Sequence, residues 1–332
     1  MRLPIFAPVK LRCRKNRMET SGLTLKNITK MKKNHTKTFA LLIAVAVLMT
    51  IGASCEKGNG VYSPKNKISK VYREASYQDL DDPSVASVQD EYLYENWTWS
   101  DGLVQQIDHY DGSNSVWTEV FTYDEHNRVV KIEDAVWYEL LTFEYEDGRI
   151  SKSKLSYDGE LSEEWSFSYE NGKLTGIDVK CYYYDDEYKR KCHLSPLSSL
   201  GFDGIVNAAM TDAVSKCKSA SKGTETVYIK FQLDWNKDNI TTVAATTDGS
   251  TTTVNFEYDQ YKNPKRGFNN IGNEWWTYNS ANNILKMTQT YSVETQVTEY
   301  AYEYEKKYPV TVHWTTDEYG YKCQYTDYYE YE

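Results

Sequence analysis

Among 332 residues there are only 5 histidines, 6 cysteines and 7 prolines, and each scarcity closes off a class of function. The histidines (His35, His109, His126, His193, His313) stand singly and no two cysteines have C-x₂-C spacing, so no metal site is expected. His193 beside Cys192 is read as coincidence. The chain lacks a nucleophile elbow, a phosphate loop, a dinucleotide fingerprint and a zinc-protease helix, and Gly58 and Gly60 are linker glycines. No catalytic residue and no cofactor is therefore assigned. Glu163-Glu164 and Asp185-Asp186-Glu187 are read as solvated surface charge, since a chain this rich in acids offers many chance pairs. Asp111-Gly112-Ser113-Asn114 lacks the acidic ligand that ends a full calcium loop.

Charge divides the chain. The first 54 residues hold 11 Lys/Arg and one acid, which leaves 27 basic and 47 acidic residues for positions 55–332. That field repels phosphate backbones, so no nucleic acid partner is expected. From Met31 a basic stretch (Lys32, Lys33, Lys37) precedes an apolar run from Phe39 to Ile51 and then Gly52-Ala53-Ser54-Cys55. The run is shorter than the roughly 20 residues that span a bilayer, and its small-residue end has the layout of a lipoprotein cleavage box, with Gly52 where that box has Leu. Residues 1–30 are read as an extension from a mis-called start, 31–54 as the signal peptide, and Cys55 as the lipid-modified residue. The lipid is then the only contact with a membrane. Cys181, Cys192, Cys217 and Cys323 remain; three of them crowd into 181–217, which suggests one local bridge without choosing it.

Residues 55–88 read as a flexible tether, and 89–332 as one β-hairpin repeat domain. Each copy is a strand of alternating aromatics, a turn rich in Asp, Asn and Gly, and an aliphatic returning strand. Examples are Phe121-Thr122-Tyr123-Asp124 through Asn127-Arg128-Val129 to Ile132, and Phe143-Glu144-Tyr145-Glu146-Asp147-Gly148-Arg149-Ile150. Eight copies are counted, the sixth at Phe256–Pro264 and the seventh at Trp276–Met287. Alternation puts rings on one face and carboxylates on the other, while Asp-Gly and Asn-Gly suit tight hairpin turns. The fold class is all-β: an up-and-down antiparallel meander of about eight hairpins, curled or barrel-like, with the aromatic face inside. Whether it closes is left open. An insertion at 181–222 interrupts the array, and apolar residues from Phe202 to Cys217 at helical spacing predict an amphipathic helix over 203–219.

The motif from Phe121 to Ile132 resembles the tyrosine-aspartate repeats of large secreted shell-forming and toxin-delivery proteins. Over 92–332 the arrangement is similar to a family of short lipoproteins from gut Gram-negative anaerobes, which carry a domain of unknown function with a porin-like fold. The resemblance implies a large antiparallel sheet or barrel and brings no activity. It places the chain at the outer membrane, on the periplasmic face or the cell surface. Aromatics outside the repeat phase are the candidate ligand contacts: Tyr182-Tyr183-Tyr184, Trp275-Trp276 and Tyr328, since consecutive rings cannot all face one side of a strand. The expected function is a non-enzymatic lipoprotein binding an extended glycan or protein ligand. The alternative is a structural envelope protein that uses its sheet for assembly.

Overall fold

The computed structural model describes residues 61–112, 114–183, 225–247, 250–267, 279–290, 295–318 and 321–332. They form sixteen strands: β1 (Ile68–Asp79), β2 (Ala86–Ser100), β3 (Leu103–Tyr110), β4 (Ser115–Tyr123), β5 (Val129–Asp134), β6 (Glu139–Glu146), β7 (Arg149–Tyr157), β8 (Glu160–Glu170), β9 (Lys173–Tyr183), β10 (Glu225–Asn236), β11 (Asn239–Thr247), β12 (Ser250–Lys262), β13 (Asn282–Thr290), β14 (Thr295–Glu305), β15 (Tyr308–Glu318) and β16 (Tyr321–Tyr331). Each pairs antiparallel with its chain neighbours. β1 closes the ring on β16, in register from Ile68↔Tyr331 to Asp79↔Tyr321. The meander is a closed barrel. We call the end bearing the connections after even-numbered strands the near end, and the other the far end.

Three expectations are corrected or fall outside this description. Residues 68–79, assigned to the tether, are strand β1, and β2 also begins before residue 89. The eight repeat copies give seven hairpins, β2–β3 to β14–β15, because the sixth and seventh belong to one strand pair, with Phe256–Tyr258 on β12 and Ile284–Met287 on β13; β1 and β16 complete the sixteen strands. The helix expected at 203–219, with Cys192 and Cys217, lies outside the described residues, as do Cys55 and the segments before it. β9 and β10 pair directly across that insertion, from Tyr183↔Glu225 to Gln232↔Gly176.

The strands turn alternate side chains inward, and the inward set forms one core from Ile68 and Trp97 round to Phe256 and Ile284. Trp165 and Phe231 stack there with centroids 6.3 Å apart, both almost fully buried. A buried ring or branched aliphatic of this kind contributes about 1.5–3 kcal/mol. The outward face carries ion pairs such as Lys131–Glu133 at 2.7 Å, Lys154–Glu144 at 3.6 Å and Lys286–Glu299 at 3.6 Å. A lysine on a lipid-facing wall costs roughly 2–4 kcal/mol at the bilayer midplane, a cost that these pairs do not meet in water.

A repeated device ties hairpin to hairpin at the near end. Beyond each turn the returning strand holds one extra residue, seen as register shifts at Thr98/Trp99, Thr122/Tyr123, Glu144/Tyr145, Asp234/Trp235 and Glu257/Tyr258. Such bulges bend a strand away from its neighbour. Accordingly the ladder to the next hairpin stops short: β3–β4 pairing ends at Gln106↔Val120 and β5–β6 pairing at Lys131↔Thr142. The carbonyls left beyond the ladder still require donors. An aromatic of the next strand supplies them, in most copies the second of its repeat. Tyr123 donates to the Val104 carbonyl at 2.5 Å, Tyr145 to Val129 at 2.6 Å, and Tyr302 to Ile284 at 2.7 Å. Trp99 donates to Ile68, Trp235 to Leu174 and Tyr331 to Pro309, each at 2.7 Å, and Tyr258 donates to Ile240. Only Tyr and Trp combine a large apolar body with a donor at its tip. That explains why Phe is frequent at the first aromatic position of the repeat and absent from the second.

Basic residues after the turns cover these rings: Arg128 lies over Tyr145, Arg149 over Tyr169 and Lys173 over Trp235. Deeper in the barrel, charge enters the interior. Arg73 makes a two-pronged bond to Asp327, at 2.6 and 2.9 Å, beneath the Tyr94 ring 3.5 Å away. Glu95 accepts the Trp97 indole N–H at 2.8 Å. Burial pushes its carboxyl up, but Lys265, His109, that hydrogen bond and Arg73 together hold it below the usual range.

Candidate functional site

The two ends differ in what they show to solvent. Near-end turns mix signs, with Arg128, Arg149, Lys173, Lys237, Lys306 and Lys307 among Asp101, Asp124, Asp147, Glu170, Asp238 and Glu305. Far-end connections and their flanking residues carry the exposed acids Asp81, Asp82, Asp111, Asp158, Glu160 and Asp317, with Asp79 half-buried and Asp134 and Glu139 buried. The one lysine or arginine among the described residues there is Lys322. Exposed apolar side chains gather at the same end. Leu80, Val85 and Val88 stand on the β1–β2 hairpin, Val136, Trp137 and Tyr138 in the β5–β6 loop, Tyr228 on β10, Val297 on β14 and Tyr321 on β16.

The β5–β6 loop is the best-defined part of this rim. Asp134 turns its carboxylate back on the loop, and its Oδ1 accepts from Val136 N at 2.8 Å and Trp137 N at 3.4 Å. This Asx turn sets the path of the chain. Tyr138 follows with φ of 57°, a left-handed conformation that costs a bulky residue about 1–2 kcal/mol. It is held because its carbonyl accepts from Asp158 N at 2.9 Å, in the neighbouring β7–β8 turn. The ring is 67% exposed. Strain at an exposed ring, fixed from two sides, is a pattern that marks binding sites.

Beside Tyr138 lies an open cleft of about 470 Å³, with Val120, Ala135 and Leu140 as apolar lining and Glu133, Asp134, Glu139 and Asp158 as acids. Val120 and Leu140 flank Glu133 from either side in register. Asp134 and Glu139 are buried, so such a surface can stack a flat apolar group on Tyr138 while Glu133 and Asp158 accept from hydroxyls or draw in a cation.

The expected contact residues are not gathered. Tyr182 is on the outer wall of β9, half-buried, its hydroxyl bonded to Glu164 and Lys180 4.3 Å from its ring centre. Tyr183 pairs with Glu225 at the end of β9. Tyr328 lies far round the wall on β16, donating to Glu74 at 3.1 Å beside Tyr72. Tyr184, Trp275 and Trp276 lie outside the described residues. Val136, Trp137 and Tyr138 were missed, although the run Ala135-Val136-Trp137-Tyr138 between two acids breaks the alternation as plainly as the tyrosine triplet does.

No family model matches the chain, and no curated protein does. Among solved structures it is similar to a porin-like protein from Bacteroides uniformis ATCC 8492, at 14% identity and a TM-score of 0.43, covering 80% of this chain and 98% of that one. It is also similar to a porin-like protein from Bacteroides vulgatus ATCC 8482, at 11% identity and a TM-score of 0.44, covering 81% and 99%.

Proposed function

We propose that this chain is a non-catalytic envelope protein that binds an extended ligand, glycan or protein, through aromatics on its far rim. In this reading Cys55 carries the lipid, and the barrel stands in water at the outer membrane, on the periplasmic face or the cell surface. The observation that carries the proposal is Tyr138, a ring displayed in a strained conformation by hydrogen bonds from two connections. The alternative is a structural envelope protein that uses its sheet as an assembly surface; pairing of β1 with β16 leaves it the faces and not those two edges.

The test is a screen of the purified barrel protein against glycan and protein arrays. A saturable hit that weakens about tenfold or more in Tyr138→Ala, with unchanged circular dichroism, supports the reading. A broad screen without such a hit counts against it. Protease shaving of intact cells decides between the two faces of the membrane.

A further inference from the structure

Resting on the binding reading just given, we infer that the partner of the far rim is a basic polypeptide segment that also carries apolar side chains. Two properties of the rim coincide. Its exposed side chains include Leu80, Val85, Val88 and Tyr138, which gain by being covered. Beside them, among the described residues, stand acids on three separate connections, Asp81 and Asp82 after β1, Asp158 after β7 and Asp317 before β16, so the negative field there does not come from one loop.

Charge complementarity then chooses among occupants. Among the described residues the near end mixes both signs, so a cationic partner is steered toward the far end. Anionic chains and anionic lipid surfaces are repelled there. A neutral glycan would gain nothing from the field, and a small cation would leave the valines and leucine uncovered. A chain alternating Lys or Arg with aliphatic residues satisfies both. Its ammonium or guanidinium groups pair with rim carboxylates or sit over the Tyr138 face, and its apolar groups enter the cleft between Val120 and Leu140.

The experiment is fluorescence anisotropy of the full chain with three labelled dodecapeptides, alternating Lys-Leu, Glu-Leu and Lys-Ser, alongside a neutral oligosaccharide panel. The expected result is saturable binding of Lys-Leu, about tenfold or more tighter than of either other peptide, weakening severalfold as salt rises from about 0.05 to 0.3 M. Tyr138→Ala and the pair Asp82→Asn with Asp158→Asn should each reduce it. Equal binding of Lys-Ser would show that the apolar groups play no part and would overturn the inference. Salt-insensitive oligosaccharide binding that depends on Tyr138, with no Lys-Leu binding, would overturn it and leave the binding reading standing. Failure of all probes would remove both.

Discussion

At the near end backbone carbonyls left by the strand bulges are met by phenols and indoles, whereas at the far end a tyrosine is held in strain and apolar groups are left facing water. On the proposed binding reading, the contrast teaches that stability and function are separated along the barrel axis. The repeat's aromatics build the first, and residues outside the repeat build the second. An array of hairpins, each marginal alone, becomes a barrel because β2, β4, β6, β10, β12, β14 and β16 each staple the strand before them.

The largest test of this division is alkaline. Burial raises the hydroxyls of Tyr123, Tyr145 and Tyr258 above their ordinary value. A group whose folded pKa is raised lends stability that is complete below the unfolded value, about 10, and is lost as pH climbs from there toward the folded value. The barrel should therefore unfold cooperatively above about pH 10, with phenolate absorbance and loss of strand circular dichroism moving together. Phenolate appearing first, while the strands persist, would show that the staples do not hold the fold.

One staple at a time comes next. Tyr145→Phe keeps the ring and leaves the Val129 carbonyl without the donor described here, at a cost of about 1–3 kcal/mol in urea unfolding. Tyr138→Phe at the far end should cost nothing measurable by the same assay. Equal effects would erase the distinction between the ends.

Much of the near end was legible, because its signals are local. Alternation at Phe143-Glu144-Tyr145-Glu146 fixes which face is buried, and Asp147-Gly148 adopts the positive φ of 49° and 77° that a two-residue hairpin needs. What the staples bond to was not legible, since Tyr258 reaches a carbonyl 18 residues back and Trp235 one 61 residues back. β1 was hidden for a related reason. Register shifts flank Lys70 and follow Arg73, and the inward Arg73 is neutralised by Asp327, 254 residues away, so its strand reads as a polar tether. The rim was obscured differently: nothing in Trp137-Tyr138 itself says that the chain there is turned outward. That depends on Asp158 in the next hairpin.

A smaller effect probes strain where no binding is proposed. The β14–β15 turn runs through Lys306 and Lys307 at φ of 49° and 81°, where the β2–β3, β6–β7 and β8–β9 turns have Asp-Gly or Asn-Gly. Lys307→Gly should stabilise by about 1 kcal/mol, read as a higher urea midpoint with an unchanged slope.

Tyr138→Gly sets the same backbone argument against function and carries the smallest expected change in stability. Removing the side chain relieves the left-handed strain at φ of 57°, while the freer unfolded chain takes back part of the gain, so a net stabilisation of about 0.5 kcal/mol is expected. The exposed ring loses no core contacts in the exchange. Ligand binding should fall as far as in Tyr138→Ala. A variant more stable than the parent and unable to bind would mean that the strained ring is retained for recognition. A variant that is destabilised by more than about 1 kcal/mol would mean that the ring holds the loop together, and the far end would then obey the same rule as the near end.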